Sequence, residues 1–324
     1  MTPAELSRTV RHAVCRAVEE GALRVSVPES VSVERPRPGG RGDYATNVAL
    51  RLAGPAGQQP RAVAEVLRSR IAEVPGIAGI EITGPGFLNI TLGEGAQQAL
   101  VRDVLERGSA YGHGDALRGA SIAFGAVDEL RAGVWTHTVA LLLRSQGAQA
   151  DVVPGAVDTL HVVPAPAGDL FERLGADAAR WGLLAAASHD RPRTGDELLA
   201  QHESNPLFRV RYACSRSRAL TRGAAQLGFG SDPLQDVDAP ALVTAVGDYP
   251  VALGAAARHR APDRLARHLE TTADALLAFQ SSVLPIGDEK PLAAHRSRLA
   301  LAEAAGTVLA GGLSLLGISS PEYL

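Results

Sequence analysis

The side chains best suited to chemistry lie in an arginine-rich stretch at residues 191–223. It carries seven arginines against three acidic residues, in a chain whose formal net charge is −3. On a helix starting near residue 206, at ~100° per residue, Arg209, Tyr212 and Arg216 share one face. A ring between two guanidinium groups suits stacking on unpaired bases and binding of phosphates. A solvated helix whose tyrosine packs on a neighbour has the same pattern, so both interpretations stay open.

A second candidate is the loop of Pro, Gly and Arg that precedes residue 45. The candidate residues are Arg35, Arg37, Arg41, Asp43 and Tyr44 in the loop, together with Asn47 just after it. Arginine fits phosphate, and asparagine can hydrogen-bond a base edge. We expect Asp43 to cap a helix over 44–52. Tyr44 and Asn47 suit a role in the fold and a contact with RNA equally well.

Other polar residues carry weaker signals. Phe87 is expected in the core, which leaves Asn89 as the RNA candidate of its strand. Asp177 and Arg180 lie three residues apart on a helix and are expected to form a local ion pair. Tyr323, near the end of the chain, could stack on a base or simply fray.

Several kinds of chemistry lack the residues they need. Cys15 and Cys214 lie far apart without metal-ligand spacing, so neither a metal site nor a disulfide framework is expected. Lys290 is the only lysine, so any chemistry that needs a lysine must use it. No apolar run reaches the ~18 residues of a membrane span, and the charged N-terminus does not read as a signal peptide. A cytoplasmic location without membrane contact is expected.

The elements that must position these residues follow from the hydrophobic pattern. Helices are predicted at 4–22, 45–52 and 61–73, and strands at 23–27, 77–82 and 87–92, which makes 1–94 a small α+β domain. A helix at 95–107 leads into a β-α-β segment with strands at 121–124 and 150–153 around a helix at 127–146. Residues 160–163 are a further strand candidate. From residue 169 an Ala- and Leu-rich pattern predicts a bundle of about five or six helices, with breaks at prolines that include Pro250.

Three segments resemble the arginyl-tRNA synthetase family. Residues 42–49 and 84–90 are similar to signatures of its N-terminal appended domain, which contacts the tRNA elbow. Residues 175–181 resemble the Asp-Ala-Leu-Arg sequence after its catalytic core. Residues 205–216 and 320–324 resemble the two ends of its anticodon-binding domain. The resemblance implies a multidomain α+β protein: an appended domain (1–94), a reduced β-α-β remnant of a class I synthetase Rossmann domain (112–190) and an all-α anticodon-binding-like bundle (191–324).

The resemblance also shows what the middle of the chain lacks. The family holds ATP with an H-x-G-H motif and a lysine-rich loop. An ungapped alignment places that motif on residues 126–129, Ala-Val-Asp-Glu, and another register gives only His137. The segment where the lysine loop should end has no cation, so nothing is expected to stabilise a leaving pyrophosphate. We therefore predict no catalytic residues and no bound ATP or other cofactor.

The function predicted from these features is tRNA binding without aminoacylation. The implied elbow contacts are Arg41, Tyr44, Asn47 and Asn89, and the implied anticodon contacts are Arg209, Tyr212, Arg216 and Tyr323. The expected partner is tRNA, of the arginine type. Two alternatives remain: a residual ligase or other enzyme that uses ATP or aminoacyl-tRNA, and an interaction module that partners a full-length synthetase.

Overall fold

The structure is a computed structural model that describes Met1 and residues 3–36, 41–166 and 168–323. The chain divides into two compact units, residues 1–100 and 101–324. The first unit is a mixture of helices and a small sheet, and the second carries a β-α-β segment and a helical bundle. The predicted mixed α/β character with a helical C-terminal part is confirmed. The predicted division between residues 190 and 191 falls inside the second unit and stays a prediction.

The first unit packs three helices on a three-stranded antiparallel sheet. Its elements are α1 (Pro3–Glu19), β1 (Tyr44–Thr46), α2 (Val48–Ala56), α3 (Pro60–Ala72), β2 (Ile77–Thr83) and β3 (Phe87–Leu92). The sheet order is β1-β3-β2, with Asn89 of β3 opposite both Ala45 and Glu81. Leu6, Leu67 and Ile90 are fully buried, and they bring α1, α3 and β3 into one core.

Two local predictions for this unit were wrong. Residues 23–27 are not a strand: Leu23 is buried and Val25 packs against the core, but their backbone lies outside the sheet. The helix predicted at 45–52 begins at Val48, because Tyr44–Thr46 pairs with β3 instead. In both places apolar side chains pack in the core, but the backbone conformation differs from the one that local propensity predicts.

The second unit begins with a two-stranded parallel sheet. Helix α4 (Ala96–Arg107) leads into it across the boundary between the units; β4 (Ser121–Gly125), α5 (Leu130–Ser145) and β5 (Gln149–Val153) then form the predicted β-α-β segment. Residues 160–163 are not a strand. The irregular chain there is held by single bonds, such as Val163 N–H donating to the carbonyl of Ser188 at 2.8 Å.

Five helices form the bundle of the second unit: α6 (Leu170–Leu184), α7 (Pro206–Gln226), α8 (Pro240–Arg258), α9 (Pro262–Phe279) and α10 (Ala293–Leu315). Proline begins α7, α8 and α9, where its missing N–H costs nothing. Pro250 was predicted to break the chain, but it lies inside α8, whose length and buried face outweigh one lost hydrogen bond. None of the helices in the described ranges combines the length and apolar composition of a membrane span.

Candidate functional site

The first candidate face of α7 lies against α9. Arg209 Nε is 3.3 Å from the Asp274 carboxylate, and Arg216 Nε donates to Gln280 Oε1 at 2.7 Å. The ring of Tyr212 stacks on Phe208, with 5.7 Å between centroids. The three predicted residues thus share a face of α7. Their side chains contact other residues of the helical bundle through packing, a hydrogen bond and an ion pair. The arrangement favours the structural interpretation of Arg209, Tyr212 and Arg216 over RNA contact.

The opposite face of α7 holds the end of the chain. Arg218 donates to the carbonyl of Ser320 at 2.7 Å, and Ser215 Oγ donates to the carbonyl of Glu322 at 3.2 Å. The guanidinium of Arg222 lies over the ring of Tyr323, 4.4 Å from its centroid. Tyr323 as a residue is 69% exposed, so the pair presents an aromatic side chain and a cation together. Tyr323 is therefore positioned on the helix.

Asp177 joins this end of the chain to α6. Its carboxylate accepts from the N–H of Ser319 at 2.9 Å and lies 3.4 Å from Arg211 Nη2. The local pair predicted between Asp177 and Arg180 is thus replaced by contacts with residues distant in sequence. A cavity of about 380 Å³ opens beside it, lined among others by Leu174, Leu199 and Phe208.

The loop candidates of the first unit differ in exposure. Arg41 is exposed and lies 3.0 Å from the Glu81 carboxylate. Tyr44 is buried, and Arg35 lies over its ring at 5.0 Å, so this tyrosine stabilises the loop and has no exposed face for a base. Asn47 is exposed at the start of α2 and makes no side-chain capping bond. Arg37 lies outside the described residues.

Three further predictions for this unit need correction. Asp43 does not cap a helix: its carboxylate accepts from the Leu92 N–H at 2.7 Å and ties the loop to the end of β3. Asn89 is buried, and its amide donates to Thr83 Oγ1 at 2.7 Å, so the sheet uses the group that was predicted to bind RNA. Phe87, predicted in the core, is exposed instead.

The carboxyl end of β4 is where a parallel sheet of this kind binds ligands. Here the chain itself fills that position. A side chain at Gly125 would come within 2.3 Å of the Ala156 carbonyl, and the Gly125 N–H donates to the carbonyl of Asp158 at 2.8 Å. The loop after β5 therefore lies directly against the strand end.

Glu129 occupies the N-terminus of α5. Its carboxylate accepts from the N–H groups of Arg131 at 3.1 Å, Ala132 at 2.7 Å and Ala165 at 2.8 Å. A helix N-terminus after a strand is a ready-made phosphate site. In this chain the carboxylate of Glu129 occupies the position where a phosphate would bind. His137, the alternative motif residue, lies further along the helix and contacts the Gly133 carbonyl at 2.9 Å.

Arg131 is fully buried beside Glu129, and its role was not predicted from the sequence. Its guanidinium donates five hydrogen bonds of 2.6 to 2.9 Å, to the carbonyls of Val163, Leu183, Ala186, Ala187 and Asp190. Burial lowers its pKa, and the nearby carboxylate of Glu129 acts in the opposite direction. All five N–H donors of the group are engaged, which leaves none for a ligand.

Arg260 brings a second positive charge to the same end of the sheet. Its Nη1 lies 3.2 Å from the Asp158 carboxylate, and its guanidinium lies 5.1 Å over the ring of Phe124. Its backbone is left-handed, with φ 52°, and its carbonyl accepts from Trp135 Nε1 at 3.0 Å. The expectation that no cation remains in the centre was therefore wrong, because the fold brings Arg131 and Arg260 together there. The two arginines found there are already paired with groups of the chain.

No group of three or more metal-ligating side chains occurs among the described residues. Lys290, the only lysine, lies in the loop before α10, within the bundle. It therefore belongs to neither strand of the parallel sheet nor the helix between them.

Two domain models match the chain. Residues 4–92 match the arginyl tRNA synthetase N terminal domain, and residues 210–324 match the DALR anticodon binding domain. An arginine–tRNA ligase of Frankia alni is 40% identical over 197 residues, which is 60% of this chain but 35% of that protein. The aligned segment of the chain thus spans about a third of the length of that relative.

A longer alignment covers the whole chain. The arginine–tRNA ligase of Paenarthrobacter aurescens is 25% identical over an alignment of 550 positions that covers all of both proteins. This chain has 324 residues, so the remaining positions are gaps on its side. Among solved structures, Thermus thermophilus arginyl-tRNA synthetase matches over all of both chains, with a TM-score of 0.72 and 14% identity. The Plasmodium falciparum enzyme matches over 99% of each, with a TM-score of 0.66 and 9% identity.

Fold and domain content define an aminoacyl-tRNA synthetase-like protein with an anticodon-binding domain. Within that class, the matched N-terminal domain and the similar curated proteins are those of arginyl-tRNA synthetases.

Proposed function

We propose that this chain binds tRNA through its terminal domains and does not activate an amino acid. The absence of amino-acid activation is supported by Glu129. Its carboxylate accepts hydrogen bonds from three backbone N–H groups at the start of α5. A triphosphate placed there would have to displace an ionised group and would be repelled by it. Arg131 and Arg260, the nearby cations, are engaged elsewhere.

Binding of tRNA is supported by what the two units expose. The Arg222–Tyr323 pair in the DALR domain offers a ring for a base and a charge for a phosphate. In the first unit Arg41 and Asn47 remain exposed. Two weak sites on one chain bind one long ligand more tightly than either alone, if both can engage at once. The cytoplasm, where translation takes place, is the compartment that this function requires.

Filter binding with arginine tRNA and a second tRNA tests this proposal. We expect binding in the micromolar range at low salt that weakens as salt rises. Arg222→Ala and Tyr323→Ala should each weaken it, whereas Arg118→Ala, a change of an exposed arginine outside the proposed surface, should not. Absence of binding at tens of micromolar protein and low salt would contradict the proposal.

A further inference from the structure

Exposed apolar side chains collect at one end of the helical bundle. Leu227 and Leu234 belong to the loop after α7, residues 227–239, and Ile286 and Leu292 to the loop before α10, residues 283–292. All four are between 51% and 76% exposed. Large apolar side chains exposed together mark an interaction surface more often than single ones do. We call these four residues and the two loops the loop patch.

The two loops are held together by the first turn of α10. Ser297 Oγ, which is buried, accepts from the N–H groups of Leu234 at 3.0 Å and Gln235 at 3.1 Å. From the other loop, the Leu292 N–H donates to His295 Nδ1 at 3.0 Å. The ring of His295 in turn lies 6.5 Å from that of Phe229. The loop patch is thus built on one helix end that both loops share.

The exposed charge around the loop patch is acidic. The loops carry five exposed carboxylates against the single base Lys290; the five are Asp232, Asp236, Asp238, Asp288 and Glu289. Three nearby arginines are turned onto backbone carbonyls: Arg296 donates to Gly230 at 3.4 Å, Arg298 to Ser282 at 3.1 Å, and Arg102 of α4 to Pro233 at 3.1 Å. Their charge is therefore directed toward the protein.

We propose that the loop patch docks an amphipathic helix of a partner protein, with an apolar face flanked by lysine or arginine. Leucine and isoleucine with an acidic rim complement such a helix in both burial and charge. The same acidic rim repels phosphates, so the four apolar residues themselves are unsuited to RNA. The four apolar residues do not include Arg222 or Tyr323, and the proposal does not depend on tRNA binding.

The test uses the full chain and two synthetic helical peptides. One carries leucine on one face and lysine on the other, and its twin carries glutamate in place of lysine. Fluorescence anisotropy should show the lysine peptide binding in the micromolar range and the glutamate peptide not binding. Ile286→Ser combined with Leu292→Ser should raise the dissociation constant about tenfold. Asp288→Asn combined with Glu289→Gln should weaken binding mainly at low salt.

Val157→Ser is the matched control, because Val157 is apolar and 96% exposed but lies in the loop after β5. It should leave the lysine peptide's binding unchanged. Equal binding by the wild type and the Ile286/Leu292 variant would overturn the proposal, as would binding of both peptides. A concentration-dependent dimer in sedimentation velocity that the same variant abolishes would also overturn it, since the occupant would then be a second copy. The Arg222→Ala variant, which should bind tRNA more weakly, should bind the lysine peptide as tightly as the wild type does.

Discussion

Glu129 and Ala165 lie 36 residues apart in the chain, yet Glu129 Oε1 accepts the Ala165 N–H at 2.8 Å. The same carboxylate caps α5 through two further N–H groups. One side chain thus caps the helix N-terminus and holds the irregular loop around Ala165 against it. The same carboxylate therefore stabilises the start of α5 and occupies the position where a phosphate would bind.

Glu129→Gln should lower the free energy of unfolding by about 2 kcal/mol, because a neutral amide oxygen accepts these hydrogen bonds more weakly and loses the favourable interaction with the helix dipole. Urea unfolding followed by circular dichroism measures it. Asp128→Asn, one residue earlier and exposed, should change it by less than about 0.5 kcal/mol. Equal effects of the two substitutions would show that the carboxylate of Glu129 does not stabilise the helix end.

Arg131→Met should be far more damaging, by about 3 to 5 kcal/mol. Methionine fills part of the volume but leaves five backbone carbonyls without their donor. Arg118→Met, at an exposed arginine, is the control for the same chemical change. If the Arg131 variant unfolds at the same urea concentration as the wild type, the buried network contributes little.

His268 should make stability depend on pH. Burial lowers its pKa from 6.5 to about 4, whereas in the unfolded chain it titrates near 6.5. Between these values the unfolded state binds a proton that the folded state does not, so stability falls as pH decreases from about 6.5 to about 4, by roughly 3 kcal/mol for a shift of this size.

Unfolding midpoints at a series of pH values measure this effect. His268→Gln should flatten the profile in that window, and His259→Gln, at an exposed histidine, should not. A wild-type profile that is already flat between pH 6.5 and 4 would contradict the prediction.

The two faces of α7 should separate stability from RNA binding. Arg209→Ala removes a partner of Asp274 and should cost up to about 1 kcal/mol of stability while leaving the tRNA dissociation constant within about twofold. Arg222→Ala should have little effect on stability and raise that dissociation constant roughly fivefold to tenfold at low salt. The opposite assignment of effects would mean that the face against α9 contacts RNA.

The sequence predicted the periodic features well. The face shared by Arg209, Tyr212 and Arg216 follows from helix geometry, and it is present. What that face contacts could not be predicted, because Glu270, Asp274 and Gln280 come from a helix and turn some 60 residues away. Two arginines with a tyrosine look the same whether they meet RNA or carboxylates.

Other misses arose where long-range hydrogen bonds outweighed local rules. Asp43 has the spacing of a cap, but the end of β3 claims its carboxylate. Asn89 looks exposed on an alternating strand, yet the middle position of the sheet buries it. Glu129 did carry a signal: a carboxylate just before an apolar helical run is a capping position, once the helix start is placed at Leu130 rather than near 127.

Arginine-dependent ATP–pyrophosphate exchange distinguishes a chain that activates an amino acid from one that does not. The assay uses arginine, arginine tRNA and protein purified free of host synthetase. We expect exchange at the level of a blank without protein, from the wild type and from Glu129→Gln alike. Arginine-dependent exchange by the wild-type chain, above that of a mock purification, would contradict this expectation.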